Sequence, residues 1–236
     1  GTRTDKGEYG MKGILINGSP KRRDSSSGAL LDDLRSLLDP GTETDVMTVT
    51  ASHPAASSAY TGMRWEPSPE DVKQLRGSSF LVLSFPLYVD AVPSHLLSFL
   101  MELEWQQKNN RLLETEEPLA VYAAVNCGFY EGKQAALALR IVENWCLRCG
   151  FEYKQGIGCG AGAMLSQLKG APLQKGIKKP LGTALKDMAA RIGRLEKGTD
   201  QLISLSFPRP LYIAAASIGW RKQGRENGLT VKELKS

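Results

Sequence analysis

The chain of 236 residues has only four cysteines and two histidines, which removes most of the chemistry that side chains perform unaided. Cys127, Cys146, Cys149 and Cys159 are too few to frame a chain of this size with disulfides. They suit a reducing compartment, so a cytoplasmic location is expected. Cys146-x-x-Cys149 has neither a partner pair nor a flanking histidine, and no metal is expected. The sequence contains no His-Glu-x-x-His and no Gly-x-Ser-x-Gly, which sets aside zinc peptidases and serine hydrolases of the α/β type. No apolar run reaches bilayer length and no signal-peptide core opens the chain, so no membrane partner is expected. Lysine and arginine number 30 against 25 acids, a net charge of +5 too diffuse to call for nucleic acid. The excess sharpens over residues 165–197, with Lys169, Lys175, Lys178, Lys179, Lys186, Arg191, Arg194 and Lys197 against Asp187 and Glu196. Such a run is either a solvated basic face or an aid in drawing in a phosphorylated ligand.

What is present is concentrated near the start. Ile14, Leu15 and Ile16 form the short apolar run of a strand covered on both faces. A polar loop follows, with hydroxyls at Ser19, Ser25, Ser26 and Ser27 and cations at Lys21, Arg22 and Arg23. Leu30, Leu31, Leu34, Leu37 and Leu38 then mark one helical face. A helix N-terminus exposes unpaired N–H groups at the positive end of its dipole, so this turn is suited to an anion, and a phosphate is inferred there. The competing reading is a serine that only caps the helix. The turn has neither the Gly-Lys-Ser/Thr of a P-loop nor Gly-x-Gly-x-x-Gly.

Further along, residues 45–50 have strand character and residues 51–68 read as a long irregular segment. Within that segment Trp65 is open to two readings, lying over a bound ring or docking on its own domain. Ser68-Pro69-Glu70-Asp71 opens a helix. Buried strands are expected at 79–85, 119–126 and 151–156, with helices from Leu96, after Gly132 to about Cys149, and over 181–196. His95 reads as a helix-start residue. The glycine run 156–162 loosely satisfies Gly-x-Gly-x-x-Ala but lacks the helix and acid of a dinucleotide turn. Residues 202–220 read as a short extended piece and a packed helix. Strand–helix alternation predicts an α/β, three-layer, doubly wound sheet of five parallel strands in the order 2-1-3-4-5. That order brings loop 18–27 beside loop 86–93. The expected organisation is a polar tail over 1–10, a domain over 11–200 and an extension over 201–236 packed on it.

Three segments, together with the glycine run over 156–165, carry a family resemblance. Gly18-Ser19-Pro20-Lys21, Pro86-Leu87-Tyr88-Val89-Asp90-Ala91-Val92-Pro93 and Asn126-Cys127-Gly128-Phe129-Tyr130-Glu131-Gly132 resemble the loops of the flavodoxin-like NAD(P)H-dependent FMN reductases. The likeness covers residues 11–165. It implies that Ser19, Lys21 and the group Ser25, Ser26 and Ser27 hold an FMN phosphate. It also implies that Pro86, Leu87, Tyr88 and Val89 border the ring, with Asn126, Cys127, Gly128 and Phe129 on its other edge. The implied activity passes hydride from NAD(P)H through flavin to a small-molecule electron acceptor, quinone-like, nitroaromatic or flavin, with no side chain as catalyst. The alternative is a flavodoxin-fold electron carrier that does not oxidise NAD(P)H; such carriers tend to be acidic, and this chain is basic. The resemblance further implies a homodimer.

Overall fold

The computed structural model describes residues 11–21, 23–110, 112–113 and 117–228. The expected tail over 1–10 and the side chain of Arg22 lie outside the described residues. The chain runs β1 (Lys12–Asn17), α1 (Ser26–Arg35), β2 (Glu43–Thr48), α2 (Pro54–Thr61), α3 (Pro69–Arg76) and β3 (Phe80–Pro86). It continues through α4 (Ser94–Lys108), β4 (Ala120–Asn126), α5 (Ala136–Cys149), β5 (Glu152–Gly160), α6 (Lys179–Ile192), β6 (Gln201–Ser204) and α7 (Arg209–Glu226). The six strands form one parallel sheet in the order β2-β1-β3-β4-β5-β6.

Layering follows from alternation along the strands. Ile14, Ile16, Leu81, Leu83, Val121 and Val125 face one way and pack with Leu96, Phe99 and Trp145 of α4 and α5. Leu15, Phe80, Val82, Tyr122 and Ile157 face the other way, against Leu30 and Leu34 of α1 and Leu185 and Met188 of α6. Both faces of β3 and β4 are covered, which is why their sequences read as continuous apolar runs. The chain reverses direction across the sheet between β1 and β3, so the crevice of a doubly wound fold lies beyond Asn17 and Pro86.

The structure corrects several expectations. The sheet has a sixth strand: β6 pairs in parallel with the end of β5, Ile157 opposite Gln201 and Gly160 opposite Ser204. Its four residues are too short, and too exposed as an edge, to show alternation. The segment 51–68 is not wholly irregular, because His53 caps α2 by accepting the Ala55 N–H and Gly62 ends it at φ 69°. Of the two readings of Trp65 the structure favours the second: it is buried on its own domain, 6.2 Å from the Phe99 ring, with its carbonyl taken by Gln106. Finally, the glycine run is mostly strand. A Cβ at Gly160 would stand 2.1 Å from the Tyr130 carbonyl oxygen, so these glycines let the loop after β4 lie against β5.

Other boundaries were legible. Ser68 and Asp71 form a reciprocal capping box at α3, and Gly150 closes α5 in the left-handed region at φ 73°. Helix α7 departs from the packed helix expected: Tyr212 is buried, whereas Leu211, Ile213 and Ile218 are exposed.

Candidate functional site

Three loops leave the carboxyl ends of β1, β3 and β4, and side chains tie them together. Ser27 Oγ donates to Asn126 Oδ1 at 2.8 Å, across 99 residues of sequence. Ser84 Oγ donates to the Ser27 carbonyl at 3.0 Å, and the Leu87 N–H donates to the Asn126 carbonyl at 2.8 Å. The Gly18 N–H reaches the Ser84 carbonyl at 2.8 Å, and His95 Nε2 lies 3.1 Å from the Gly18 carbonyl oxygen. His95 therefore braces the first loop from the start of α4; burial lowers its pKa, against the opposing pull of its backbone hydrogen bonds.

The serines divide their roles. Ser25 is the N-cap of α1: its Oγ accepts the Gly28 N–H at 3.0 Å and the Asn17 amide at 3.3 Å. Ser26 is half-buried in the first helical position, and Ser27 is buried with its hydroxyl committed to Asn126. Among the described residues the first-turn N–H groups of Ser26 and Ser27 have no acceptor, as helix geometry leaves them. No acid occupies that first turn, whereas α3 places Glu70 and Asp71 there. Ser19 is buried within the loop; its N–H donates to Asn17 Oδ1 and its Oγ accepts the Lys21 N–H. The Lys21 side chain is exposed. Beside the loop a cavity of about 190 Å³ is lined by Arg23, Asp24, Asp32, Arg35 and Lys169, with Lys169 paired to Asp24 at 3.2 Å.

The second loop makes a tight hairpin. Tyr88 and Ala91 exchange backbone hydrogen bonds at 3.1 and 3.0 Å, and Val89 and Asp90 between them have φ 49° and 59°. Positive φ at both central positions is the I′ geometry that Asn-Gly fits and a β-branched residue resists. Val89 is 99% exposed, so packing does not impose the strain. Val89→Asn is expected to raise stability by about 1 kcal/mol, or roughly 2–4 °C in Tm, measured by thermal denaturation of the apoprotein.

Asn126 at the end of β4 and Cys127 after it are buried, while Gly128 and Phe129 emerge. Nothing lies within 4 Å of where a Gly128 Cβ would stand. Burial pushes the Cys127 thiol up to about 11 and Cys149 to about 12, and raises Cys146 and Cys159 as well. All four thiols are thus protonated near neutral pH and poor nucleophiles. Among the described residues the site offers no activated nucleophile; what it offers is an anion-ready helix end joined to two loops that expose Tyr88 and Phe129.

Sequence inspection missed the supports of this site. Lys178, within a run read as a solvated face or an electrostatic aid, is 1% exposed and reaches Asp33 of α1 at 2.5 Å. Arg209 and Tyr212, which brace the third loop, carried no local signal, and Tyr130, part of the third family-like segment, gave no sign of its bond to Phe207. A larger hollow of about 460 Å³ lies elsewhere, between α2 and α4. Its acids are engaged with the protein, Glu102 by Ser58 and Arg64 and Glu104 by Lys108 and Arg148.

No protein-family model matches the chain, and no curated protein matches it. Solved structures do resemble it. A putative quinone reductase from Klebsiella pneumoniae is 15% identical, with 79% of this chain and 86% of that one covered and a TM-score of 0.53. RosB, solved with the intermediate 8-demethyl-8-formylriboflavin-5′-phosphate bound, is 16% identical, with 78% of each chain covered and a TM-score of 0.51. At these identities the likeness establishes the fold, a flavodoxin-like doubly wound sheet.

Proposed function

We propose that the protein is an FMN-dependent oxidoreductase that takes hydride from NAD(P)H and passes electrons to a small quinone-like, nitroaromatic or flavin acceptor. The observation that carries this reading is the union of an α1 first turn without acids with the two loops after β3 and β4, through Ser27, Ser84 and Asn126. A phosphomonoester matches the first element, and a flat heterocycle on the same molecule matches the other two. RosB, of the same fold, was solved with a riboflavin 5′-phosphate derivative, and the Klebsiella protein is described as a putative quinone reductase, which supports the choice.

The residues present fit the group. Ser25 Oγ and the N–H groups of Ser26 and Ser27 would hold the phosphate, with Ser19 shaping the loop and Lys21 adding charge. Pro86, Leu87, Tyr88 and Val89 would border the ring on one side, and Asn126, Cys127, Gly128 and Phe129 on the other. When bound, FMN supplies the two-electron chemistry, and the protein supplies position and exclusion of water. No side chain needs to transfer a proton to carbon or attack substrate. We place the protein in the cytoplasm, on the strength of its four free, buried cysteines. We also expect a homodimer, for which exposed Leu211, Ile213 and Ile218 on α7 offer a surface.

The test is turnover. FMN-loaded protein is expected to oxidise NADH or NADPH only when a quinone, nitroaromatic or free flavin is present, followed by loss of absorbance at the nicotinamide band. A flavin-loaded protein that leaves both nucleotides intact would be an electron carrier instead.

A further inference from the structure

The loop after β4 is gripped by the C-terminal part of the chain at three points. Tyr212 Oη donates to the Gly128 carbonyl at 2.6 Å. Tyr130 Oη donates to the Phe207 carbonyl at 2.8 Å, and Arg209 Nε meets Glu131 Oε1 at 2.9 Å. Tyr212 is 8% exposed whereas its neighbours Leu211 and Ile213 are exposed, so this residue is turned from the helix onto the loop. Its ring lies 5.9 Å from that of Tyr130. At the loop's far end a Cβ on Gly132 would stand 2.0 Å from the Ile203 carbonyl oxygen, so β6 seats directly on the loop backbone.

These contacts fall on the main chain that the ring would meet. A trans peptide points its N–H opposite to its C=O. With the Gly128 carbonyl held by Tyr212, the Phe129 N–H leaves on the far side, and it has no partner among the described residues. The next carbonyl, of Phe129, is fixed by the Ala161 N–H at 2.6 Å. Both peptide planes flanking Phe129 are therefore set from outside the loop, one of them by α7. Burial raises the Tyr212 phenol above its ordinary range, so the hydroxyl remains a donor.

We propose that residues 203–212 are a strap that positions the ring-side loop, with Tyr212 the positioning residue that orients the Gly128–Phe129 peptide toward the flavin ring. The proposal rests on the flavin reading above and adds to it a dependence of ring binding on a helix outside the three loops. Tyr212 touches neither flavin nor substrate; it acts through the peptide it holds.

The experiment compares wild type with Tyr212→Phe, and with Arg209→Gln as a second variant. FMN and riboflavin affinity are measured by fluorescence quenching, inorganic phosphate by its competition with FMN, and the ring environment by visible circular dichroism of the bound flavin. Loss of one hydrogen bond to the carbonyl is expected to weaken FMN and riboflavin about three- to tenfold in Tyr212→Phe. The dichroism changes while the phosphate constant stays at its wild-type value, and the Tm of the apoprotein falls by no more than about 1–6 °C, the worth of the deleted hydrogen bond. Arg209→Gln moves the same quantities the same way by less. Equal flavin affinity and an unchanged spectrum in Tyr212→Phe overturn the proposal and leave the flavin reading standing. A loss toward phosphate equal to the loss toward FMN makes Tyr212 merely structural and also overturns it. A wild-type protein that binds no FMN overturns both readings together.

Discussion

Ser26→Asp is expected to leave the apoprotein as stable as wild type or more so, and to weaken FMN at least about tenfold. The two effects have opposite signs because the helix end does two jobs. An acid in the first turn of α1 complements the dipole and adds about 0.3–1 kcal/mol to folding. The same charge faces the phosphate. Two charges about 5 Å apart repel by roughly 3 kcal/mol at an effective dielectric of 20, and solvent screening removes part of that. No acid stands in that turn, although acids there stabilise helices and α3 carries two. An anion-binding role explains the omission. Ser26→Asn, which keeps the size and omits the charge, is expected to bind FMN nearly as wild type does. The Asp penalty is expected to shrink as salt is raised. Equal FMN affinity in Ser26→Asp would place the phosphate away from α1.

The second large effect concerns the support of that helix. Lys178 and Asp33 pair where the lysine is 1% exposed and the acid 16% exposed. Removing one partner of a buried pair leaves an uncompensated charge, so Lys178→Ala is expected to lose about 3–5 kcal/mol, or roughly 6–20 °C in Tm. Burial already raises the Asp33 carboxyl above its ordinary 3.8, and Lys178 pulls it back in part. Without the lysine the folded-state pKa rises further. A raised acid makes the native state bind more protons than the unfolded one, so the penalty grows with pH through that window. The deficit of Lys178→Ala is therefore expected to be smaller near pH 4 than at pH 7. The double variant Asp33→Leu/Lys178→Met, which removes both charges, is expected to recover most of the stability. Chemical denaturation at the two pH values measures all three chains.

The elements legible in the sequence were those whose burial is imposed on every residue. Ile14 to Ile16, the 79–85 run and the 119–126 run are covered on both faces, so hydropathy alone marks them. Capping chemistry is likewise local, and Ser68 and Gly150 announce their helix ends. Edge and partner-dependent features were not legible. The four residues of β6 are strand only because β5 offers a free edge, and its glycines read as loop until the close approach of Tyr130 and Gly132 explains them. Helix α2 hides behind His53-Pro54, which reads as punctuation, although the imidazole is the cap. In the candidate site the sequence names the loops but not the division of labour. That Ser27 turns inward to Asn126 while Ser25 caps α1 depends on a contact between residues 99 apart, which no spacing rule reaches. Tyr212 and Lys178 are equally silent, since each acquires its role only from the carbonyl or carboxylate the fold brings to it.

The most direct test is flavin uptake by the purified chain. The protein is expected to be yellow, to release FMN on denaturation, and after stripping to quench added FMN fluorescence up to a stoichiometric end point. Riboflavin, lacking the phosphate, is expected to bind more weakly. A colourless protein that leaves added FMN fluorescence unchanged would contradict the account at its base.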